Sequence, residues 1–213
     1  GYTPRYGYHL DRHRRGHTHF EVTTRPKDLA EWGALGGLVG RAMRSYWEVP
    51  VLSGISGPVT SDEIKQFGAA LASFGSTPLF HMIGITPEAP DLKAVFDSPV
   101  PKATPLGRAE IDRLMASYRP KDDKLDVVVF AAPQLSLFEM RTLADHLDGR
   151  TINKDVTLIA TTSPDIKAAA DRMGITASIE GAGGMVLSGV CFYQMYARDI
   201  GEANGWKRLM SNS

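Results

Sequence analysis

The sequence of 213 residues has a single cysteine, no excess of either charge and no long apolar run. Lys+Arg and Asp+Glu number 24 each, so no strongly basic domain is present to bind nucleic acid or an anionic membrane. The longest apolar runs, such as residues 127–133, are much shorter than the ~20 residues of a transmembrane helix. Cys191 alone cannot form an intramolecular disulfide. We therefore expect a cytoplasmic protein without a membrane span and without a nucleic-acid partner.

The length suits one large or two small domains. Residues 1–8 contain neither an initiating Met nor the apolar stretch of a signal peptide, which predicts that the chain lies within a longer protein. Prolines at positions 99, 101 and 105 interrupt all periodicity. This pattern predicts a linker at 99–107 between one α/β domain at 1–98 and a second at 108–213.

Apolar strand-like runs alternate with segments of helical periodicity along the chain. Capping boxes at Thr60 and Ser136, each with Glu three residues later, mark the starts of two helices. Ser163, followed by Pro164, marks the start of a third. Near-continuous apolar strands separated by helices are typical of an α/β fold whose parallel sheets are buried on both faces. Ligands of such sheets bind beyond the carboxyl ends of the strands. The segments expected to face a ligand are residues 53–58, 84–89, 131–136 and 161–164.

Two candidate catalytic residues lie close together in the sequence. Glu88 follows a strand end in the rigid context Thr86-Pro87-Glu88, where a partly buried carboxylate would have a raised pKa and act as a base or bind an ammonium group. The alternative is an acid in the first turn of a helix that extends through Phe96. His81 lies within an apolar strand, where it is either a catalyst or a core histidine with a satisfied hydrogen bond.

The remaining polar signals each have two interpretations. Cys191 is flanked by apolar residues and is either a ligand-type thiol or a small buried hydrophobe. The segment 211–213, Ser-Asn-Ser, would bind a carboxylate through hydroxyl and amide donors, or it is a frayed end. Ser56 lacks the second glycine of a G-x-S-x-G elbow, which argues against a serine hydrolase. The residues alone therefore indicate an α/β small-molecule site without a named reaction.

Several stretches in order resemble the large, catalytic portion of the aconitase X family. The most specific is Phe-His-Met-Ile-Gly-Ile-Thr-Pro-Glu-Ala at residues 80–89. The others are residues 3–7, 35–40, 49–55, 65–72 and 133–139. The resemblance runs essentially from end to end and implies aconitase-like three-layer α/β/α domains with largely parallel sheets. It also implies a central fragment of a longer subunit that carries the second and third domains.

The resemblance implies carbon–oxygen lyase chemistry. Members of the family dehydrate cis-3-hydroxy-L-proline to a pyrroline carboxylate or dehydrate mevalonate 5-phosphate, and a swivelling small domain or subunit closes their site. The zero net charge and the lack of a basic glycine loop favour the amino-acid substrate here. By motif, Glu88 and His81 would be catalytic. The substrate-binding residues would be Ser56, Thr86, Ser136, Asn212 and Ser213.

The resemblance also implies an iron or iron–sulfur cofactor, but this sequence departs from the family at that point. Where the family has Gly-Cys-Pro-His-Leu-Ser, this chain has Ala-Ala-Pro-Gln-Leu-Ser at 131–136, so Ala132 and Gln134 replace ligand-type residues. Cys191 matches a later family cysteine and would be a lone iron ligand. The alternative hypothesis is a noncatalytic module that binds a small carboxylate or a partner chain. A self-contained enzyme is disfavoured because the chain starts and stops within family motifs.

Overall fold

The chain forms two compact units, Gly1–Arg119 and Pro120–Ser213, in a computed structural model that describes residues 1–97, 99–120, 122 and 124–212. Each unit contains a four-stranded sheet in which all paired strands are parallel. In this described part of the chain, no helix has both the length and the apolar character needed to cross a membrane. The parallel sheets and their helices confirm the predicted α/β class.

The first unit has the strand order β3-β2-β1-β4. Two 3-10 turns, Gly7–His9 and Asp11–His13, precede the first strand. The elements are β1 (Thr18–Val22), α1 (Leu29–Ala42), β2 (Pro50–Ser53), α2 (Ser61–Gly75), β3 (His81–Met82), α3 (Leu92–Val95), β4 (Thr104–Leu106) and α4 (Arg108–Ser117).

Both faces of this sheet are covered, as expected for parallel strands. Phe20, Leu52 and Met82 pack with the buried side chains of α1 and α2 in one core cluster. On the opposite face, Val51 packs against Val95 and its neighbours around α3. The alternation of side chains along each strand places the two clusters on opposite faces and gives the three-layer arrangement.

Glycines allow α1 and α2 to approach each other closely. A Cβ added at Gly36 would overlap the carbonyl oxygen of Phe67, and one added at Gly40 would lie 2.8 Å from the carbonyl oxygen of Leu71. The glycines that weaken α1 by propensity are therefore required by its packing.

The structure places the division between the units after the predicted linker. Residues 104–106 form β4, which pairs in parallel with β1 through Phe20 to Val22. The helix α4 also packs on α1 through Ile111 and Leu114 around Ala34. The division therefore lies at 119/120 rather than at 99–107, because the proline-rich segment completes the edge of the first sheet, where a proline is tolerated. Ser98, directly before that segment, lies outside the described residues.

The second unit has the strand order β7-β6-β5-β8. The predicted caps Ser136 and Ser163 begin its first two helices, and both side chains accept a backbone hydrogen bond there. The elements are β5 (Val127–Leu135), α5 (Leu137–Leu147), β6 (Thr157–Thr162), α6 (Pro164–Arg172), α7 (Ile175–Gly181), β7 (Met185–Ser188), α8 (Ala197–Asn204) and β8 (Leu209–Ser211).

A bulge interrupts the ladder between β5 and β6 near the carboxyl end of the sheet. Phe130 pairs with Ala160 and Leu135 pairs with Thr162, so residues 131–134 stand opposite the single residue Thr161. The sheet is packed on both faces, by α5, α6 and α7 on one side and by Phe192 and α8 on the other. The bulge therefore lies at the carboxyl ends of the strands, where parallel sheets bind ligands.

Candidate functional site

In the first unit, Arg14 connects the two residues predicted to be catalytic. The Glu88 carboxylate accepts hydrogen bonds from Nη2 of Arg14 at 2.5 Å and from Nε at 2.7 Å. Nε2 of the buried His81 lies 2.7 Å from the carbonyl oxygen of Arg14, to which it donates. The structure therefore brings Glu88 and His81 together around Arg14.

This ion pair sets the charge state of Glu88. The hydrogen bond from Arg14 outweighs the effect of burial and lowers the pKa of Glu88, and the same bond raises the pKa of Arg14. The prediction of a raised pKa is wrong because the adjacent cation stabilises the ionised carboxylate. The alternative, a first-turn helix acid, is also wrong, since α3 begins at Leu92 with Asp91 as its cap.

The two hydroxyl residues predicted in this unit have different surroundings. Thr86 Oγ1 accepts a hydrogen bond from the Met82 amide at 3.0 Å and donates to the Met82 carbonyl at 3.2 Å, so it closes the turn after β3. Ser56 is exposed beyond the carboxyl end of β2, and its carbonyl accepts a hydrogen bond from Arg25 at 2.7 Å. Arg14, the partner of Glu88, precedes the amino end of β1, whereas Ser56 follows the carboxyl end of β2. Because these strands are parallel, the topology does not bring Ser56 together with Glu88.

In the second unit, the side chain of Asn212 forms hydrogen bonds with the backbone of the bulge at residues 131–134. Its Oδ1 accepts hydrogen bonds from the amides of Ala131 at 3.1 Å and Ala132 at 3.4 Å. Its Nδ2 donates to the carbonyl of Pro133 at 3.0 Å. Asn212 follows β8, which pairs with β5, so the terminal segment is an ordered part of the sheet edge. Ser213 lies outside the described residues.

Gln134 and Ser136 connect the bulge to its other neighbours. Nε2 of Gln134 donates to the carbonyl of Val190 at 2.8 Å, directly before the half-buried Cys191. The Ser136 Oγ accepts a hydrogen bond from the Glu139 amide at 3.2 Å, and the Ser136 amide donates to the Glu139 carboxylate at 2.7 Å. The carboxyl edge of this sheet thus carries hydroxyl, amide and thiol groups around one bulge.

These residues do not fit an iron centre held by this chain alone. Within the described residues, no group of three or more His, Cys, Asp or Glu side chains is placed to hold a metal ion. The side chain of Ala132 has no atom that could bind a metal, and Gln134 has a neutral amide in place of an imidazole or a thiolate. Iron–sulfur clusters require several thiolates, and Cys191 is the only cysteine in the chain.

One residue of these sites, Arg14, carried no usable signal in the sequence, whereas Thr161 lies in the predicted ligand-facing segment 161–164. Arg14 belongs to a short basic run, but its partner lies 74 residues later, beyond the reach of local periodicity. The hydroxyl of Thr161 is fully buried opposite the bulge and has no hydrogen-bond partner within the part of the chain that the structure describes. Only the pairing of β5 with β6 reveals its position opposite the bulge.

Two units, each with a four-stranded parallel sheet and flanking helices, define a two-domain α/β protein. Residues 16–116 match the aconitase X second domain, and residues 125–213 match the aconitase X third domain. The chain belongs to the aconitase X family.

Known proteins agree with this assignment over nearly the whole chain. The phosphomevalonate dehydratase large subunit of Methanothermobacter thermautotrophicus is 34% identical over 94% of this chain and 48% of that protein. Cis-3-hydroxy-L-proline dehydratase of Pseudomonas aeruginosa is 32% identical over 100% of this chain and 37% of that protein. The holo-form crystal structure of Thermococcus kodakaraensis aconitase X has a TM-score of 0.84 at 27% identity, with 99% of this chain and 52% of that chain covered. The chain therefore spans about half the length of these relatives or less.

Proposed function

We propose that this chain is the part of an aconitase X hydro-lyase that contains the second and third domains. The observation that carries the proposal is the match to both domains in family order, together with relatives named as dehydratases. The complete enzyme would comprise further domains or a smaller subunit, since several relatives are called large subunits.

The proposed substrate is cis-3-hydroxy-L-proline, and the product is pyrroline-2-carboxylate. The reaction breaks the C2–H bond, whose proton passes to a base and whose electron pair forms the C2=C3 double bond. The C3–O bond breaks at the same time, and the hydroxide takes up a proton from an acid and leaves as water. The Pseudomonas aeruginosa relative supports this substrate, as do the zero net charge and the lack of a basic glycine loop. No step is derived through an iron centre, because the residues of this chain do not fit one.

The bulge edge of the second unit is the proposed site for the substrate carboxylate. Ser136, Gln134 and Asn212 supply hydroxyl and amide groups there, which are suited to a carboxylate. In the first unit, Glu88 and His81 act as positioning residues: Glu88 binds the guanidinium of Arg14, and His81 binds its backbone carbonyl.

A second candidate is dehydration of mevalonate 5-phosphate. It is favoured by the Methanothermobacter thermautotrophicus relative, whose name specifies that substrate class and whose identity to this chain is 34%. A third candidate is a noncatalytic module for a small carboxylate, which Ala132 and Gln134 favour because they stand at the family's metal-ligand positions.

The test uses the complete protein that contains this chain, purified with any smaller subunit that native mass spectrometry detects. Each substrate is incubated separately, and product is followed by ¹H NMR spectroscopy. Formation of pyrroline-2-carboxylate supports the first proposal. Turnover of mevalonate 5-phosphate alone replaces it with the second, and a fully assembled protein that binds a hydroxy acid without turnover supports the third.

A further inference from the structure

The N-terminal segment of the first unit lines a half-open cavity of about 400 Å³ that the proposed dehydration does not use. Ligand pockets of roughly 300–1,000 Å³ are typical of small-molecule sites, so this one suits a small ligand. Tyr6, Leu10 and Trp47 form its apolar wall, and Arg12, His13 and His17 form its polar wall.

The apolar wall is part of an aromatic cluster that joins two distant segments. The ring of Trp47 lies 5.3 Å from that of Tyr8, 5.2 Å from that of Tyr46 and 6.1 Å from that of His13, between centroids. Tyr8 also donates a hydrogen bond from its hydroxyl to the Tyr46 carbonyl at 2.7 Å. Trp47 nevertheless remains 47% exposed, so its ring presents an apolar surface to a ligand.

The polar wall carries donors and no carboxylate. Among the described residues, Arg12 makes one side-chain hydrogen bond, from Nε to His13 Nε2 at 3.1 Å, and has no carboxylate partner. His17 Nδ1 accepts from the Val49 amide at 3.2 Å, so its proton is on Nε2, which is a donor. Among the residues that the structure describes, no acidic side chain lines the cavity. A cation and imidazole donors beside an aromatic surface suit an anion with an apolar body.

A fixed backbone supports this wall. Arg14 donates from Nη1 to the carbonyl of Tyr8 at 2.7 Å while its other nitrogens bind Glu88. The segment that supplies Arg12 and His13 is thereby tied to the body of the first unit, and the cavity does not depend on a loose terminus.

We propose that this cavity binds a small organic anion, a carboxylate or phosphate attached to an apolar or aromatic body. Arg12 binds the anionic group together with the donors of His13 and His17, and Trp47 contacts the apolar body. The proposal concerns binding alone and stands whether or not the complete protein is a dehydratase.

The test is isothermal titration calorimetry on the complete protein with four probes: benzoate, phenyl phosphate, inorganic phosphate and phenol. Benzoate and phenyl phosphate separate the two sources of negative charge, inorganic phosphate lacks the apolar body, and phenol lacks the charge. We expect at least one of the two aromatic anions to bind at one site per chain. Phenol and inorganic phosphate should each bind with an affinity at least about tenfold lower.

Variants locate the site. Arg12→Gln is expected to weaken binding of the aromatic anion about tenfold or more, because a hydrogen-bonded charge is lost. Trp47→Leu is expected to weaken it by removing the ring, with circular dichroism confirming the fold. Arg113→Gln, at an exposed arginine on α4 of the same unit, is the matched control and should leave binding unchanged.

If Trp47→Leu unfolds, Arg12→Gln still tests the proposal, because Arg12 is exposed and, among the described residues, its side chain bonds only its neighbour His13. The absence of binding by both aromatic anions would overturn the proposal. So would binding that Arg12→Gln leaves unchanged, which would place the anion elsewhere in the protein. Equal affinity for inorganic phosphate and phenyl phosphate would overturn the role of the aromatic wall.

Discussion

Glu88 holds the guanidinium of Arg14, a residue 74 positions earlier in the chain, through two hydrogen bonds of 2.5 and 2.7 Å. The carbonyl of the same arginine accepts a hydrogen bond from His81, and Arg14 in turn binds the Tyr8 carbonyl. A carboxylate in this position orders the segment before β1 and is held in its ionised form. Its geometry is that of a positioning residue.

Replacement of Glu88 by Gln therefore tests whether it positions Arg14 or transfers a proton. We expect turnover of the complete protein to fall without being abolished, and the shape of the pH–rate profile to be retained. Because the Glu88 side chain is 50% exposed, the free energy of unfolding should fall by about 1 kcal/mol or less. The measurement is kcat and KM across pH, together with urea denaturation.

The matched control for that experiment is Asp97→Asn, which removes the neighbouring ion pair with Arg15. Its activity should equal that of the unmodified protein. A Glu88→Gln variant that folds normally but loses all turnover, or loses one limb of the pH–rate profile, would contradict the positioning role. It would indicate that Glu88 acts as a general base.

Asn212→Ala should destabilise the second unit. The change removes the acceptor for the amides of Ala131 and Ala132 and the donor to the Pro133 carbonyl. Leaving part-buried backbone groups unpaired costs about 1–3 kcal/mol of unfolding free energy, measurable by urea denaturation. Asn204→Ala, at an exposed amide on α8, is the control and should change stability by much less. Equal effects of the two changes would contradict the role assigned to Asn212.

Gly36→Ala should destabilise the first unit through the contact between α1 and α2. The added Cβ would overlap the Phe67 carbonyl oxygen, so the helices must separate, at a cost of about 1–3 kcal/mol. The control is Gly181→Ala on α7, where a neutral or slightly stabilising effect is expected. Apart from the neighbouring backbone of α7, no atom of the described residues lies within 4 Å of the added Cβ. Thermal unfolding of both variants measures the difference, and a Gly36→Ala variant as stable as the control would refute the close approach.

The stability of the first unit should depend on pH through Glu63. Burial raises the pKa of this carboxyl, but hydrogen bonds from the Thr60 amide and Trp32 Nε1 outweigh it, and the net pKa is lowered from 4.5. A lowered folded-state pKa stabilises the protein above the unfolded value and ceases to do so as pH falls through the folded value. The free energy of unfolding should therefore decrease as the pH drops below about 4.5.

Glu63→Gln should lower stability at neutral pH and flatten part of that acid-side decrease. Part remains because the pKa of Glu31 is also lowered, by its hydrogen bond with Arg108. Urea denaturation at a series of pH values checks this, with Glu180→Gln at an exposed position of α7 as the control. An unchanged pH dependence in Glu63→Gln would remove Glu63 from the explanation.

Iron binding should respond to the bulge. Gln134 bonds the carbonyl next to Cys191, so donors introduced at 132 and 134 would lie near that thiol. Ala132→Cys combined with Gln134→His should raise the iron content of the complete protein, measured by mass spectrometry of the metal. Adding Cys191→Ser to the pair should reverse the gain. Iron content that is the same in all three proteins would show that residues outside this bulge supply the ligands.

The sequence by itself determined the features that depend on near neighbours. The apolar runs and the caps Thr60, Ser136 and Ser163 are read within a few residues, and they indicate the α/β class and the starts of three helices. These features can be predicted from the sequence because propensity, capping and periodicity each depend on residues within a single stretch of chain.

Only the tertiary structure decided which distant groups meet. Residues 104–106 look like a linker until β4 pairs with β1, and Asn212 looks like a frayed end until its side chain closes the bulge of β5. Glu88 looks like a base until Arg14 lies against it and lowers its pKa. In each case the partner is more than 70 residues away in the sequence. Which residues meet therefore depends on how the strands pair and how the chain connects them, and local sequence pattern carries no information about either.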